Sequence, residues 1–158
     1  MSHPAFSEIP GHRSLRKGRS SIPGCVYLVT ATTEQRAPLF ADFRAACVAS
    51  SAFTRRSVLG RNRLLAWVLM LDHIHWLLQL GEGEDLAKSI GRMKAVSARE
   101  VRRKGNWKDA VWASAFHDRV LRREEELVSV ARYVVANPLR AGLVRSVREY
   151  SFWDAVWL

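Results

Sequence analysis

Residues 63–80 are the most apolar stretch of the chain and constrain its fold more than any other segment: RLLAWVLMLDHIHWLLQL. A buried stretch of this kind can form one helix, or two strands joined by a tight turn. Asp is a common turn residue, and the aromatic and aliphatic residues around Asp72 are typical of strands. The stretch therefore predicts a β-hairpin that turns near Leu71 and Asp72, with His73 and His75 on its second strand.

Hydrophobic patterns in the rest of the chain predict the other elements. They are a strand ending near Thr33, helices over residues 38–53, 85–105 and 124–137, and a strand within residues 112–122. The resulting order, βαββαβα, is that of the split βαβ arrangement. We predict an α+β, ferredoxin-like βαββαβα sandwich, in which an antiparallel sheet carries the histidine pair and the helices lie on one face.

Composition divides the chain into two parts. Residues 1–24 are rich in Ser, Gly, Pro and basic residues, which is typical of a basic N-terminal arm. Residues 25–158 have the length and apolar content of a single domain, and we expect its tryptophan-rich tail, SFWDAVWL, to pack back onto it. Cys25 and Cys47 lie far apart without metal-ligand spacing, so neither a disulfide nor a zinc site is expected.

The formal net charge is +10, and arginine is preferred over lysine, which indicates a polyanionic partner. The alternative is that the basic surface only keeps the protein soluble and binds no polyanion. The chain begins without an apolar signal segment, and no uninterrupted apolar run reaches the roughly 18 residues of a membrane span. We therefore expect a soluble, cytoplasmic protein that does not associate with membranes.

The histidine pair is the first candidate for chemistry. On a strand, His73 and His75 point to the same face because side chains alternate. Two adjacent imidazoles can supply two ligands of a divalent metal ion, although a catalytic site needs a third protein ligand as well. The alternative is a pair of surface histidines whose ring nitrogens bond to nearby polar groups.

The helix over residues 124–137 offers that third ligand. Its expected buried stripe is Leu127, Val130, Ala131, Val134 and Val135. Tyr133 and Asn137 are then neighbours on one flank, at positions i and i+4, where both could reach a site over the sheet. Each also has a simpler interpretation, because Tyr133 could pack its ring at the surface and Asn137 could bond the local backbone before Pro138.

These motifs, taken together, resemble those of the HUH single-tyrosine transposases, where U is a hydrophobic residue. The resemblance is carried by HIH at residues 73–75 and by YVVANPLRAGLV from Tyr133 onward. More closely, the chain is similar to the REP-associated tyrosine transposases, bacterial relatives that act on repetitive extragenic palindromes. The basic start LRKGRSSIPG and the segment VWASAFHDRVLR also match that branch, so the resemblance covers residues 13–157.

This resemblance implies a set of functional residues. His73, His75 and Asn137 would bind a divalent metal ion, Mg²⁺ or Mn²⁺. Tyr133 would be the nucleophile that cleaves single-stranded or hairpin DNA, leaving a 5′-phosphotyrosine intermediate and a free 3′ hydroxyl. Insertion-sequence relatives act as dimers and the REP-associated branch as monomers, so either a monomer or a homodimer is expected.

Basic residues in two segments are the expected DNA contacts. They are Arg13, Arg16, Lys17 and Arg19 on the arm, and Lys88, Arg92, Arg99 and Arg103 on the second helix. Arg140 could lie near the phosphate, although a cap on the preceding helix is the expectation we favour.

One departure from the family pattern concerns the metal site. Many relatives carry Pro-Asn before the histidine pair, whereas this chain has Leu71 and Asp72, which adds a carboxylate. A direct bond from Asp72 to the ion would change the metal preference.

Two other functions fit the same sequence: a ferredoxin-like nucleic-acid-binding module without catalysis, and a metal-dependent nuclease that uses water instead of Tyr133.

Overall fold

The computed structural model describes residues 21–105 and 107–157. Most of the expected basic arm, including Arg13, Arg16, Lys17 and Arg19, lies outside the described residues. Among the described residues, no helix combines the length and the apolar character that a bilayer crossing requires.

Five strands and five helices make up the described fold, apart from short 3₁₀ turns. In chain order they are β1 (Val26–Thr32), α1 (Phe43–Phe53), α2 (Arg56–Leu59), β2 (Arg63–Leu69), β3 (His73–Gln79), α3 (Leu86–Lys104), β4 (His117–Leu121), α4 (Glu124–Val135), α5 (Asn137–Arg140) and β5 (Trp153–Ala155). The hairpin of β2 and β3 turns at residues 70–72, as the sequence predicts.

The strands form one antiparallel sheet in the order β4-β1-β3-β2-β5. The first four strands have the ferredoxin-like order, which confirms the predicted α+β fold class. The fifth strand comes from the tail, where Trp153 pairs with Val68 of β2. The tail therefore packs back as an edge strand of the sheet.

One face of the sheet is closed by α1 and α3. Ile74, Trp76 and Leu78 of β3 point into this layer and are fully buried with Phe53 of α1 and Met93 of α3. Two helix starts on this side are capped by aspartates, since Asp42 accepts a hydrogen bond from the Ala45 amide and Asp85 from the Lys88 amide. The first helix thus begins after Asp42 rather than at Pro38.

The opposite face is partly covered by α4. Ala131 and Val135 pack on Leu77 of β3, and Val134 packs on Val68 and Met70. The prediction that the helices lie on one face therefore holds for α1 and α3 only. The physical reason is the apolar strip that β2 and β3 present on this second face, which must also be shielded from water.

Candidate active site

His73 and His75 lie at the start of β3, on the sheet face that α4 partly covers. Their ring centroids are 4.9 Å apart, with the rings nearly perpendicular at 79°. The register sets them opposite Thr32 and Thr30 of β1. Alternation along β3 thus brings the two imidazoles together, as the sequence predicts.

Each imidazole has a hydrogen-bond partner at Nδ1. His73 Nδ1 lies 2.8 Å from Asp72 Oδ1, and His75 Nδ1 lies 2.8 Å from Thr30 Oγ1. In the tautomer where Nδ1–H donates, the Nε2 lone pair of both rings is free for a ligand. A histidine held in this way by a carboxylate or hydroxyl is typical of metal sites.

Asp72 therefore orients His73 through one carboxylate oxygen. Its other oxygen, Oδ2, accepts a hydrogen bond of 3.0 Å from Arg36 Nε. Partial burial alone would raise the pKa of Asp72, but the hydrogen bonds from His73 and Arg36 outweigh it and lower the pKa. Both carboxylate oxygens are thus engaged in supporting the imidazole.

His75 is held in its neutral form. Burial is the main cause that lowers its pKa to about 4, and electrostatic interactions with His73 and Arg140 lower the pKa further. Neutral imidazole is the form that binds metal ions, so His75 needs no deprotonation at neutral pH.

Tyr133 lies on the exposed flank of α4, and its side chain is 61% exposed. The predicted buried stripe of this helix is confirmed for Ala131, Val134 and Val135, with Leu127 and Val130 partly buried beside them. The guanidinium of Arg140 lies over the Tyr133 ring, 3.6 Å from its centroid. This contact replaces the helix cap that we expected of Arg140.

Asn137 lies in a different element from the one the sequence predicts. The helix of Tyr133 ends at Val135, and Asn137 begins the single turn α5, with Pro138 buried behind it. The Asn137 side chain is half-buried, and its carboxamide makes no hydrogen bond to the described part of the chain. It is therefore available to a ligand.

Within residues 21–105 and 107–157, no three His, Cys, Asp or Glu side chains group as a metal site. Among these described residues, the candidate for a third ligand to the histidine pair is the carboxamide oxygen of Asn137. Two imidazoles, an amide oxygen and open positions suit an ion that also binds phosphate.

The basic residues of α3 lie on the other side of the sheet from the histidines. Lys88, Arg99 and Arg103 are exposed, and Arg103 bonds Glu100 at 2.9 Å. Arg92 has an intramolecular role: its guanidinium donates to the Val58 carbonyl at 2.5 Å and to Glu84 at 3.2 Å. Their predicted DNA contacts stay predictions, with Arg92 the weakest candidate.

Sequence reasoning missed two residues that support the histidines. Thr30 could have been found only from the strand register, because its distance from His75 along the chain is large. Arg36 follows β1 in a turn where its backbone adopts a φ of 55°, and no pattern marks it as a partner of Asp72. Both become neighbours of the site only through pairing of β1 with β3.

The antiparallel sheet thus carries an HxH pair on one face, and an exposed tyrosine lies on the helix that partly covers this face. The family described as "Transposase IS200 like" matches residues 21–137. The chain belongs to this IS200-like transposase family, which also confirms the resemblance stated from the motifs.

Individual relatives agree with this assignment. A curated protein of Haemophilus influenzae, described as a REP-associated tyrosine transposase, is 26% identical over 98 residues. That match spans 56% of this chain and 56% of the relative, so it covers about half the length of each.

Two solved structures share the fold. A REP-associated tyrosine transposase bound to a REP hairpin superposes with a TM-score of 0.68 at 19% identity, over 92% of this chain and 82% of that one. A structure described as a transposase from Deinococcus radiodurans R1 has a TM-score of 0.53 at 18% identity, over 69% of this chain and 87% of that one. At these identities the likeness concerns the fold alone.

Proposed function

We propose that this transposase is an endonuclease and strand transferase that cleaves single-stranded hairpin DNA of the repetitive extragenic palindrome type, through a 5′-phosphotyrosine intermediate. One observation carries the proposal. The fold carries an exposed tyrosine, Tyr133, on the helix that partly covers the sheet face where Asp72 and Thr30 orient the imidazoles of His73 and His75.

Tyr133 would act as the nucleophile in a transesterification. Its phenolic oxygen attacks the phosphorus, the P–O3′ bond breaks as the P–Oη bond forms, and the phenolic proton ends on the released 3′ oxygen. The products are a 5′-phosphotyrosine and a 3′ hydroxyl, with no change in the number of phosphoester bonds. The reaction is therefore reversible, which suits strand transfer.

His73, His75 and Asn137 would hold a divalent ion, Mg²⁺ or Mn²⁺. Such an ion, when bound, would supply charge neutralisation at the phosphate and stabilisation of the departing 3′ oxygen. Asp72 and Thr30 hold the imidazole rings in the orientation that binding requires, and partial burial keeps His75 neutral.

The DNA partner is supported by charge and by fold. The net charge of +10 favours a polyanion, and the exposed Lys88, Arg99 and Arg103 of α3 are suited to phosphate contacts. A solved relative with the same fold is bound to a REP hairpin, which makes a hairpin the first substrate to test.

The test is denaturing gel electrophoresis of the protein incubated with Mn²⁺ and a hairpin oligonucleotide labelled at its 3′ end. The oligonucleotide is taken from palindromic repeats that flank the protein's own gene. A 3′ label follows the strand that stays attached to tyrosine, so the expected result is a slowly migrating covalent species. Tyr133→Phe and a chelator should each abolish it.

Other outcomes would support the two remaining functions. Cleavage without a covalent species, retained by Tyr133→Phe, would mean that water is the nucleophile. Hairpin binding without cleavage, unchanged by His73→Ala, would mean that the protein is a binding module.

A further inference from the structure

The side chain of Arg140 lies against Tyr133, although the proposed roles of the histidine pair and of the tyrosine do not require an arginine there. The guanidinium carbon lies 3.6 Å from the centroid of the Tyr133 ring, a distance typical of a stacked cation–π contact. Both residues are exposed, so burial does not force them together.

The backbone brings the two side chains together across the break between α4 and α5. Ala136 joins the two helices, and the Arg140 amide donates to its carbonyl at 3.0 Å. Pro138 is buried, and its carbonyl accepts a hydrogen bond of 3.0 Å from the Leu143 amide. Arg140 thus stands on a fixed turn, about two helical turns beyond Tyr133 and on the same side.

The N–H groups of this guanidinium remain available. The guanidinium lies over the ring, and none of its five N–H donors bonds to the described part of the chain. Planar N–H donors beside a nucleophile match the non-bridging oxygens of a phosphodiester, and arginine stays charged at every working pH.

We propose that Arg140 is a further catalytic residue, which stacks on Tyr133 to hold its ring in place and donates hydrogen bonds to the scissile phosphate. This inference rests on the proposed strand transfer. It assigns to one residue both the orientation of the nucleophile and the stabilisation of charge on the phosphate as the P–Oη bond forms.

The experiment measures the single-turnover rate of covalent adduct formation at saturating hairpin, with Mn²⁺, for wild type, Arg140→Ala and Arg140→Lys. We expect Arg140→Ala to lower the rate about a hundredfold, because one donor to the developing charge is lost. Arg140→Lys keeps the charge but not the planar stack, and should recover only part of the rate. The control is Arg145→Ala, which removes the same charge from an exposed site further along the chain.

Two further measurements separate a chemical role from a structural one. Added guanidinium ion should raise the rate of Arg140→Ala and leave that of Arg145→Ala unchanged, since it can refill only the first site. Mn²⁺ binding in the absence of DNA, measured by calorimetry, should be retained by Arg140→Ala.

The outcomes distinguish the inference from the proposed function. If wild type forms an adduct and Arg140→Ala forms it at the same saturating rate, the inference is wrong. If Arg140→Ala is slow only because DNA affinity falls, or guanidinium restores nothing and Arg140→Lys is as slow as alanine, the inference also fails. If wild type itself forms no adduct with any flanking hairpin, the proposed function fails first.

Discussion

The two faces of strand β3 are chemically opposite although they share one backbone. Ile74, Trp76 and Leu78 face α1 and α3 and are wholly excluded from water. His73 and His75 face the other way, where the cover given by α4 ends and solvent reaches the sheet. One face stabilises the fold, and the other is left available for a ligand.

The domain therefore carries a polar site on the same strand that contributes to its apolar core. The sheet separates the two tasks by side-chain alternation, so a change at one position need not disturb its neighbour.

The largest expected effect is on DNA cleavage at the candidate active site. Tyr133→Phe should abolish the covalent protein–DNA species completely, because the attacking oxygen is removed. Its free energy of unfolding should stay within about 0.5 kcal/mol of wild type, since the ring is exposed and the stack with Arg140 is kept. The measurements are the denaturing gel and urea unfolding, and an adduct that persists would identify a different nucleophile.

The next prediction compares the stability contributed by the two faces of β3, the one covered by α1 and α3 and the one that carries the histidines. Trp76→Ala should lower the free energy of unfolding by about 3–5 kcal/mol, because it empties a fully buried indole site between α1 and α3. His75→Ala, one residue away, loses chiefly the hydrogen bond to Thr30 and should cost about 1 kcal/mol. Urea unfolding of both variants measures these losses. Equal losses of the free energy of unfolding would contradict the view that one face of β3 stabilises the fold and the other is available for a ligand.

A smaller effect concerns the support of His73. Asp72→Ala should weaken Mn²⁺ binding about ten- to hundredfold, because the carboxylate that orients the imidazole is lost. Asp72→Asn should weaken it less, since the amide oxygen still accepts from Nδ1. Calorimetric titration with Mn²⁺ measures both, and wild-type affinity in Asp72→Ala would show that Asp72 has no role in metal binding.

The smallest effect concerns Glu84, which links the loop before β2 to helix α3. A hydrogen bond from the Arg61 amide, followed by bonds from Arg92 and Ser89, lowers the pKa of Glu84. Its ionised form therefore stabilises the fold above its unfolded pKa, and that contribution is lost as pH falls through the folded value.

Glu84→Gln should accordingly cost about 1–2 kcal/mol at pH 7, and the difference from wild type should shrink as the pH falls below about 4. Thermal unfolding followed from pH 7 to pH 3 measures this. A difference that is constant over that range would mean that the carboxylate charge does not contribute.

The elements of this fold follow from the sequence because they depend on local patterns. Asp72 marks the hairpin turn, and the spacing of Ala131, Val134 and Val135 marks the buried stripe of α4. The position of that helix was not predictable in the same way. Which face of a sheet a helix covers depends on apolar area contributed by several strands at once, and here β2 and β3 present some on both faces.

The sequence predicted that the two imidazoles lie side by side and that Tyr133 lies on the flank of its helix, as the structure has them. It predicted the surrounding residues less well. Arg92 lies on the basic side of α3 in a helical projection, but only the packed fold reveals that it bonds the Val58 carbonyl and Glu84. Asn137 was expected in the helix of Tyr133 and belongs to a separate turn. Pro138 ends the helix before it and anchors the next turn by its own burial.

The sequence by itself determined the alternation of β3, and with it the two imidazoles on one face, because a strand's side-chain direction repeats every two residues. It also determined the exposed flank that carries Tyr133, through helical periodicity. Only the tertiary structure decided that Thr30 and Arg36 support the histidines and that Arg140 stacks on Tyr133. Strand pairing brings Thr30 and Arg36 to the histidines, and no local period relates those residues. Arg140 lies about two helical turns beyond Tyr133, but the break between α4 and α5 separates them, so helical periodicity alone did not decide their contact.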